Sequence, residues 1–450
     1  MDNDDGTVRP ASAQAVSMPE AMPEHLVMRH VAAATIGNAL EFYDFITYAF
    51  FAIQIGHAFF PVTTAYGSLM LSLATFGAGF ITRPIGGVII GAYSDRVGRR
   101  PAMMLSFTLM GAAIIVMALI PSYSQIGIAA PILAVIARMV QGFSLGGEVG
   151  PTTAYLLESA PPHRRGLAVS WQAASQAIAS TTASVVGFTL AAVLSAHMLD
   201  AYGWRIAFLL GAVTLPFGLW IRRSLPETLH QPETHVVAVA SSTRVATILR
   251  ENSRIITLGL MVLASGTIST YVLNYLATFA QGTLKMAPVV AFEGSMMQGL
   301  ASLVAVLFGG WLSDRIGRRP VMIASRLIVL AMLLPVFHWI VDSRTALALI
   351  VGPSLLSIVG GVGSGALYAA LSESLPKQVR GGTFATMYAV SIALFGGTTQ
   401  LVITWLIHLT GNPLAPAYYL FGASLLGTIA TLLILESAPV RIVPKVVLAQ

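Results

Sequence analysis

Five ionisable side chains stand where the surrounding sequence is apolar: Glu41, Asp44, Arg83, Arg138 and Glu148. A charge near the middle of a bilayer costs at least about 2.5–3.5 kcal/mol on insertion scales, so each of these groups needs a partner or a watery cavity. Carboxylates in such surroundings can take up and release protons, and guanidinium groups can grip an anion through paired hydrogen bonds. If all five were ionised they would sum to minus one, and one added proton balances them. Glu41, Asp44 and Glu148 are therefore the candidates for proton coupling. Protonation of one of them would release Arg83 or Arg138 to bind an anion.

Their neighbours extend the candidate site. Asn38, Glu41, Asp44 or Phe45, and Tyr48 recur at three- and four-residue intervals and share one helix face, which is expected to look into a cavity. Arg138 lies one turn from Gln141, and Gln141 is nearly aligned with Glu148. Gln172, Ser175 and Gln176 make another polar face. Later in the chain, Asn274 and Gln298 offer hydrogen bonds, as do Tyr271, Tyr275, Tyr368 and Tyr388, which could equally be interface anchors. The expected binding set is Asn38, Arg83, Arg138, Gln141, Gln172, Gln176, Asn274 and Gln298. A static ion-pair network that only fixes helix packing is the alternative for the charged members. Arg326 stays open between a cavity role and snorkelling to the surface.

The elements that must position these residues follow from composition. The 450 residues are 56% hydrophobic and 10% charged, with mean hydropathy +0.77; a soluble domain carries about 25% charged residues. Twelve apolar stretches of membrane-spanning length fall at about 30–56, 68–93, 102–121, 129–157, 167–195, 205–221, 255–282, 290–312, 321–341, 346–371, 382–409 and 415–435. This predicts an all-α membrane protein. Its expected parts are a disordered tail over 1–28, a six-helix bundle over 29–222, a polar linker over 223–254, a second bundle over 255–435 and a tail over 436–450. The start of the chain lacks the basic and apolar regions of a secretory signal.

Nearly all loop cations fall in the tails and in the loops after spans 2, 4, 6, 8 and 10, so both termini are expected in the cytoplasm. The net charge of +6 then reflects topology and not nucleic-acid binding. With no cysteine, thiolate zinc sites, disulfides and cysteine nucleophiles are excluded, and the nine histidines lack ligand spacing. Neither a metal, a cofactor nor a catalytic constellation is expected, so an enzyme is disfavoured.

Two loops are near copies. Ser94-Asp95-Arg96-Val97-Gly98-Arg99-Arg100-Pro101 and Ser313-Asp314-Arg315-Ile316-Gly317-Arg318-Arg319-Pro320 differ only by Val for Ile. Leu157-Glu158-Ser159-Ala160-Pro161 is likewise echoed by Ser372-Glu373-Ser374-Leu375-Pro376. The chain therefore reads as a duplicated six-helix unit, its halves packed pseudo-symmetrically around a central cavity. Gly142, Gly146 and Gly150 let a neighbouring helix come close. The run Gly360-Gly361-Val362-Gly363-Ser364-Gly365 lacks the strand and the Lys-Ser/Thr of a phosphate loop and reads as a packing or hinge segment.

With Gly91-x-x-x-Asp95-Arg96-x-Gly98-Arg99-Arg100 and its second copy, the chain resembles the major facilitator superfamily. The resemblance implies a conformational latch at Gly91, Asp95, Arg96, Gly98, Arg99, Arg100, Asp314, Arg315, Arg318 and Arg319, the Asp engaging a neighbouring helix end. Arginines that serve only as topology determinants are the alternative. Gly37-Asn38-Ala39-Leu40-Glu41-Phe42-Tyr43-Asp44-Phe45, Arg138-x-x-Gln141-Gly142 with Gly146-Gly147-Glu148, and Tyr202-Gly203-Trp204-Arg205 are similar to its metabolite:proton symporters. Gln141-Gly142-Phe143-Ser144, Ser170-Trp171-Gln172-Ala173-Ala174-Ser175-Gln176 and Arg222-Arg223-Ser224-Leu225 are most similar to citrate and tricarballylate symporters.

That likeness implies proton-coupled symport of a small carboxylate by alternating access. The expected partners are that substrate, protons and the lipid bilayer, with a functional monomer in the inner (plasma) membrane. Two intramembrane arginines suit a polycarboxylate better than a zwitterion. A dicarboxylate, shikimate or a betaine-type osmolyte remains the alternative cargo. A non-transporting sensor on the same scaffold would be expected to lose the paired charges or gain a soluble domain.

Overall fold

The computed structural model describes residues 24–97, 99–146, 153, 156–157, 160–213, 216, 250–376 and 380–442. Among the described residues there is no strand, and eight helices are long and apolar enough to cross a membrane, joined by two shorter apolar ones at Met104–Leu119 and Ala129–Leu145. In hydrocarbon no water is available to the backbone, so each spanning segment closes its hydrogen bonds within itself as a helix.

The first half runs α1 (Glu24–Phe50), α2 (Ala52–Phe59), α3 (Ala65–Ile81), α4 (Arg83–Val97), α5 (Arg99–Leu119), the single turn α6 (Tyr123–Ile126), α7 (Ala129–Leu145), α8 (Arg165–Val193) and α9 (Trp204–Val213). The second runs α10 (Ser253–Gly282), α11 (Pro288–Ile316), α12 (Arg318–Ser343), α13 (Ala346–Ser374), α14 (Arg380–Ser391), α15 (Gly397–Thr410) and α16 (Ala415–Leu433). Where the described residues cover them, the expected spans are helical, with local breaks. Span 2 divides at Thr82, just before Arg83-Pro84, because proline has no N–H to continue the ladder. Span 11 passes through a wider turn at Ile392–Gly396. The linker up to residue 249, the end of span 4 with Glu148 and Gly150, and the end of span 6 lie largely outside the described residues.

Small residues set how closely the helices approach. A side chain at Gly142 would collide with the carbonyl of Gly79, one at Gly146 with that of Arg83, and one at Gly86 with that of Phe143. The glycine spacing in α7 thus brings it against α3 and α4, where Thr82 hydroxyl donates to the Met139 carbonyl at 2.7 Å. The halves meet by the same device. Antiparallel α8 and α11 touch at Gly166 with Gly310, Thr181 with Gly299, and Gly187 with Phe292, and α3 meets α15 at Gly77 with Gly397.

Candidate functional site

Between the halves lies a cavity of about 190 Å³. From the first half it is lined by Phe42, Phe45, Ile46 and Ala49 of α1, by Phe76 of α3 and by Gln176 of α8; from the second by Tyr271, Asn274, Gln298, Tyr368, Tyr388 and Arg326, among others. Gln176 Nε2 donates across the interface to Tyr388 Oη at 3.2 Å. Gln298 Nε2 donates to Ser357 Oγ at 2.9 Å, and its carbonyl oxygen has no partner among the described residues. Of the eight residues expected to bind a ligand, Gln176, Asn274 and Gln298 are the ones that line the cavity.

The others sit one layer back. The face of α1 turned to the cavity is the apolar one, Phe42, Phe45, Ile46 and Ala49. Asn38, Asp44 and Tyr48 turn toward neighbouring helices of their own bundle, which corrects the expectation that this polar face looks into the cavity. Asn38 donates to Ser175 Oγ, and Tyr48 Oη donates to the Ser72 carbonyl at 3.1 Å. Asp44 meets α7: Arg138 Nη1 donates to its Oδ2 at 3.2 Å and Gln141 Nε2 to its Oδ1 at 3.2 Å, while Arg138 Nη1 also reaches Gln141 Oε1 at 2.6 Å. Both charged groups are inaccessible to solvent. The physical reason is pairing. A buried arginine facing a bundle interior without its carboxylate would be far more costly than the pair, and α7 supplies both oxygens of Asp44 with donors.

Aromatic rings close this layer off. The guanidinium carbon of Arg138 lies 4.2 Å from the ring centre of Phe45 and 4.5 Å from that of Tyr48, and that of Arg83 lies 4.3 Å from Phe45 and 4.4 Å from Phe80. The two arginines thus share the Phe45 ring, which itself lines the cavity. Tyr271 of the second half packs edge-on against Phe80 at 5.5 Å. Gln172 is buried with neither amide atom hydrogen-bonded among the described residues. The side chains of Glu41 and Glu148 lie outside the described residues.

The second copy of the loop motif forms a charged knot at one end of the interface. Asp314 accepts the Gly166 and Leu167 N–H groups at 2.8 and 2.9 Å, so its carboxylate caps the start of α8 in the other half. Arg318, 1% exposed, donates to Asp314 at 2.7 Å and through Nε and Nη2 to Glu373 at 3.2 Å each. Glu436 in turn accepts the main-chain N–H groups of Arg318 and Arg319 at 2.9 and 3.1 Å. Arg315 stands apart, stacked 4.1 Å over Trp311. For the first copy, Gly98, the surroundings of Gly91 and the side chains of Asp95, Arg96, Arg99 and Arg100 lie outside the described residues. At the other end of the interface, Thr278 Oγ1 donates to the Ala49 carbonyl at 2.9 Å and Gln54 reaches Gln281 at 3.3 Å.

Sequence reasoning missed Glu373 and Glu436 as partners of Arg318. Glu373 was visible inside the repeated Ser-Glu-Ser and needed only to be paired with the motif ahead of it. No sequence signal ties Glu436 to the start of α12.

Two helical bundles of common ancestry, bridged at both ends around a cavity lined by both, define a multi-pass membrane protein of the transporter class. The sequence matches the Major Facilitator Superfamily over residues 34–396 and 294–447, and the chain belongs to that family. It is 37% identical to a citrate-proton symporter of Klebsiella pneumoniae, covering 88% of this chain and 89% of the relative. A citrate-proton symporter of Salmonella typhi is 36% identical, with 88% and 91% covered. The glycine betaine/proline/ectoine/pipecolic acid transporter of Dickeya dadantii is 28% identical, with 91% and 83% covered. In fold the chain is similar to a D-xylose-proton symporter (TM-score 0.73, 19% identity, 92% of this chain and 98% of that one).

Proposed function

We propose that the chain is a secondary transporter of the inner membrane, with both termini cytoplasmic, that carries a small carboxylate together with protons by alternating access. Citrate or tricarballylate is the favoured cargo. The observation that carries this reading is the sealed Asp44–Arg138–Gln141 cluster, set one aromatic ring behind a cavity shared by both halves. The citrate-proton symporters among its relatives support the same cargo.

In this reading Asp44 carries the coupled proton. While ionised it neutralises Arg138. When it takes a proton, that neutralisation is lost, and the guanidinium, whose Nε and Nη2 have no hydrogen-bond partner among the described residues, is left to attract an anion. The carboxylate enters the cavity, where Gln176, Asn274 and Gln298 supply neutral hydrogen bonds and the positive charge acts across the Phe45 ring. Release of the anion to the other side lets Arg138 reclaim Asp44 and expel the proton. Glu41 and Glu148 are the further candidates for the coupled site, and Arg83, Asn38, Gln141 and Gln172 for the groups that hold it in shape.

The charged knot at Asp314 serves as the latch. Its bonds to Gly166 and Leu167 join the two halves on one side, so rocking the halves apart there must break them. The first copy, Asp95 with Arg96, Arg99 and Arg100, would act in the same way. The working unit in this reading is one chain in the bilayer.

Uptake of labelled citrate into proteoliposomes under an imposed pH gradient tests this directly. A panel of unlabelled tricarballylate, dicarboxylates, shikimate and glycine betaine sets the cargo. Uptake indifferent to the gradient removes the coupling, and failure of unlabelled citrate to compete, or competition by glycine betaine alone, removes the carboxylate.

A further inference from the structure

The glycine-rich run of α13 and the intramembrane Arg326 of α12 belong to one feature. Arg326 lies eight residues past the start of α12, roughly 12 Å along the axis at about 1.5 Å per residue. It does not run back to the end of its helix. Nη1 donates to Ser265 Oγ at 3.1 Å and Nη2 to the Val262 carbonyl at 3.4 Å, both on α10, and the side chain lines the cavity. Among the described residues no carboxylate pairs with it. A hydroxyl and a carbonyl leave most of the donors of a guanidinium unused.

The backbone around it is cleared to admit the group. A side chain at Gly427 of α16 would strike Arg326 Nη1 and Ser265 Oγ, so the guanidinium occupies the space that glycine leaves. Gly361 and Gly365 are packing glycines, pressed against Ala305 and the Val306 carbonyl of α11. Gly360 differs: a side chain there would touch only Val329 Cγ2, at an ordinary 3.7 Å, and Gly360 lines the cavity. Val329 is one turn beyond Arg326 on α12, so Gly360 leaves a recess on the arginine's side of the cavity. Ser424 and Ser364 line the same cavity.

We propose that Arg326, steadied by Ser265, is the anion-binding residue of the second half, taking a carboxylate group of the transported substrate in a recess floored by Gly360 and flanked by Ser424. A lone guanidinium inside a bundle is expensive unless something negative visits it. A carboxylate suits it in two-pronged geometry, with serine hydroxyls for the remaining lone pairs. The site itself stands on this geometry, whereas naming its occupant as part of citrate rests on the function proposed above. A polycarboxylate would then be held at its far end by Arg326 and steered at its near end by the charge of Arg138.

The natural absence of cysteine makes the test clean, since Gly360→Cys introduces the chain's one thiol. In purified protein reconstituted in vesicles, that thiol is labelled with methanethiosulfonate reagents of either charge. The anionic reagent is expected to react faster than the cationic one by about tenfold, equivalent to about 1.4 kcal/mol. The preference should survive Arg326→Lys, vanish in Arg326→Gln, and shrink with added salt. Citrate should slow the labelling. Equal rates, a preference that persists in Arg326→Gln, or no reaction with either reagent overturns the proposal. A preference that depends on Arg326 but is untouched by citrate leaves the anion site standing and takes away citrate as its occupant.

Discussion

The two halves descend from one unit yet treat charge in opposite ways. In the first, acid and base are paired, sealed behind Phe45 and Phe76, and reach the cavity only as a field. In the second, Asn274, Gln298 and serine hydroxyls face the cavity with an arginine, Arg326, that has no acid beside it among the described residues. The divergence can be read at one equivalent position: counting six residues beyond the motif proline, Pro101 leads to Phe107 and Pro320 leads to Arg326, each preceded by serine. Each serine position ties its helix to the fourth helix of its half, though in opposite senses: the Ser144 hydroxyl donates to the Ser106 carbonyl and the Ser325 hydroxyl to the Val359 carbonyl, each at 2.5 Å. The scaffold was kept and the neighbouring side chain was spent differently. In the proposed reading a proton site must be shielded from bulk water to couple, while a ligand site must be reachable, and the arginine at the second of these positions lies on the reachable side.

The widest test of this contrast is to remove one member of the sealed pair. Arg138→Gln leaves Asp44 buried and uncompensated, an effect of about 3–5 kcal/mol on breaking a buried pair. Uptake should fall to background and the unfolding temperature in detergent should drop. Asp44→Asn removes the charge and keeps one of the two acceptor oxygens that Arg138 and Gln141 use, so citrate exchange across vesicles should persist while accumulation driven by a pH gradient disappears. Gradient-driven accumulation in that variant would move the coupled proton to another acid.

Next in size is the knot that joins the halves. Asp314→Asn weakens charge-assisted bonds to Gly166, Leu167 and Arg318, typically about 1.5–3 kcal/mol for bonds to a charged group. The interface should open more readily on that side, seen as faster labelling of a cysteine introduced at Ser170, which packs against Gly310. Unchanged labelling would reduce the motif to a topology signal. Glu436→Gln removes a charge from the start of α12, where such caps contribute about 0.3–1 kcal/mol. A fall of about one degree in melting temperature at unchanged uptake is expected.

The smallest effect lies at the other end of the first half. His57, past the end of the first span and about half exposed, has its Nδ1 2.8 Å from Asp200 Oδ1. The hydrogen bond with Asp200 outweighs partial burial and raises the imidazole above its ordinary 6.5. Because the folded value lies above the unfolded one, the contact stabilises fully below about pH 6.5 and is lost as pH rises through the folded value. An exposed pair contributes about 0.2–1 kcal/mol at most. His57→Gln should therefore flatten a shallow decline of melting temperature above pH 6.5 and leave in place the pH dependence of transport, which the proposed function assigns to Asp44.

Much of the architecture was legible. The repeated octapeptide, the echoed Ser-Glu-Ser and the block of apolar spans led to two six-helix halves, because duplication and hydrophobic length are written locally. The glycine ladder of α7 was equally plain, since a missing side chain at every fourth residue has one packing consequence. The direction of the polar face on α1 was not legible. Asp44 and Phe45 are adjacent, about 100° apart around a helix, and periodicity cannot say which of two neighbouring faces meets ligand and which meets α7. Arg326 was ambiguous for a related reason, as its reach allows either the surface or the interior, and Gly427, a hundred residues later, settles it by leaving room.

What the amino-acid sequence determined by itself is the solvent, the count and pairing of the helices, and which residues carry charge where lipid forbids it; these follow from hydrophobic length and from repeats along one strand of text. The tertiary structure decided which of those charges are neutralised, which ring stands between them and the cavity, and which arginine is left facing it. Such choices depend on helices distant in sequence, brought side by side by close packing, and on the strong preference of a buried ion for whichever partner that packing delivers.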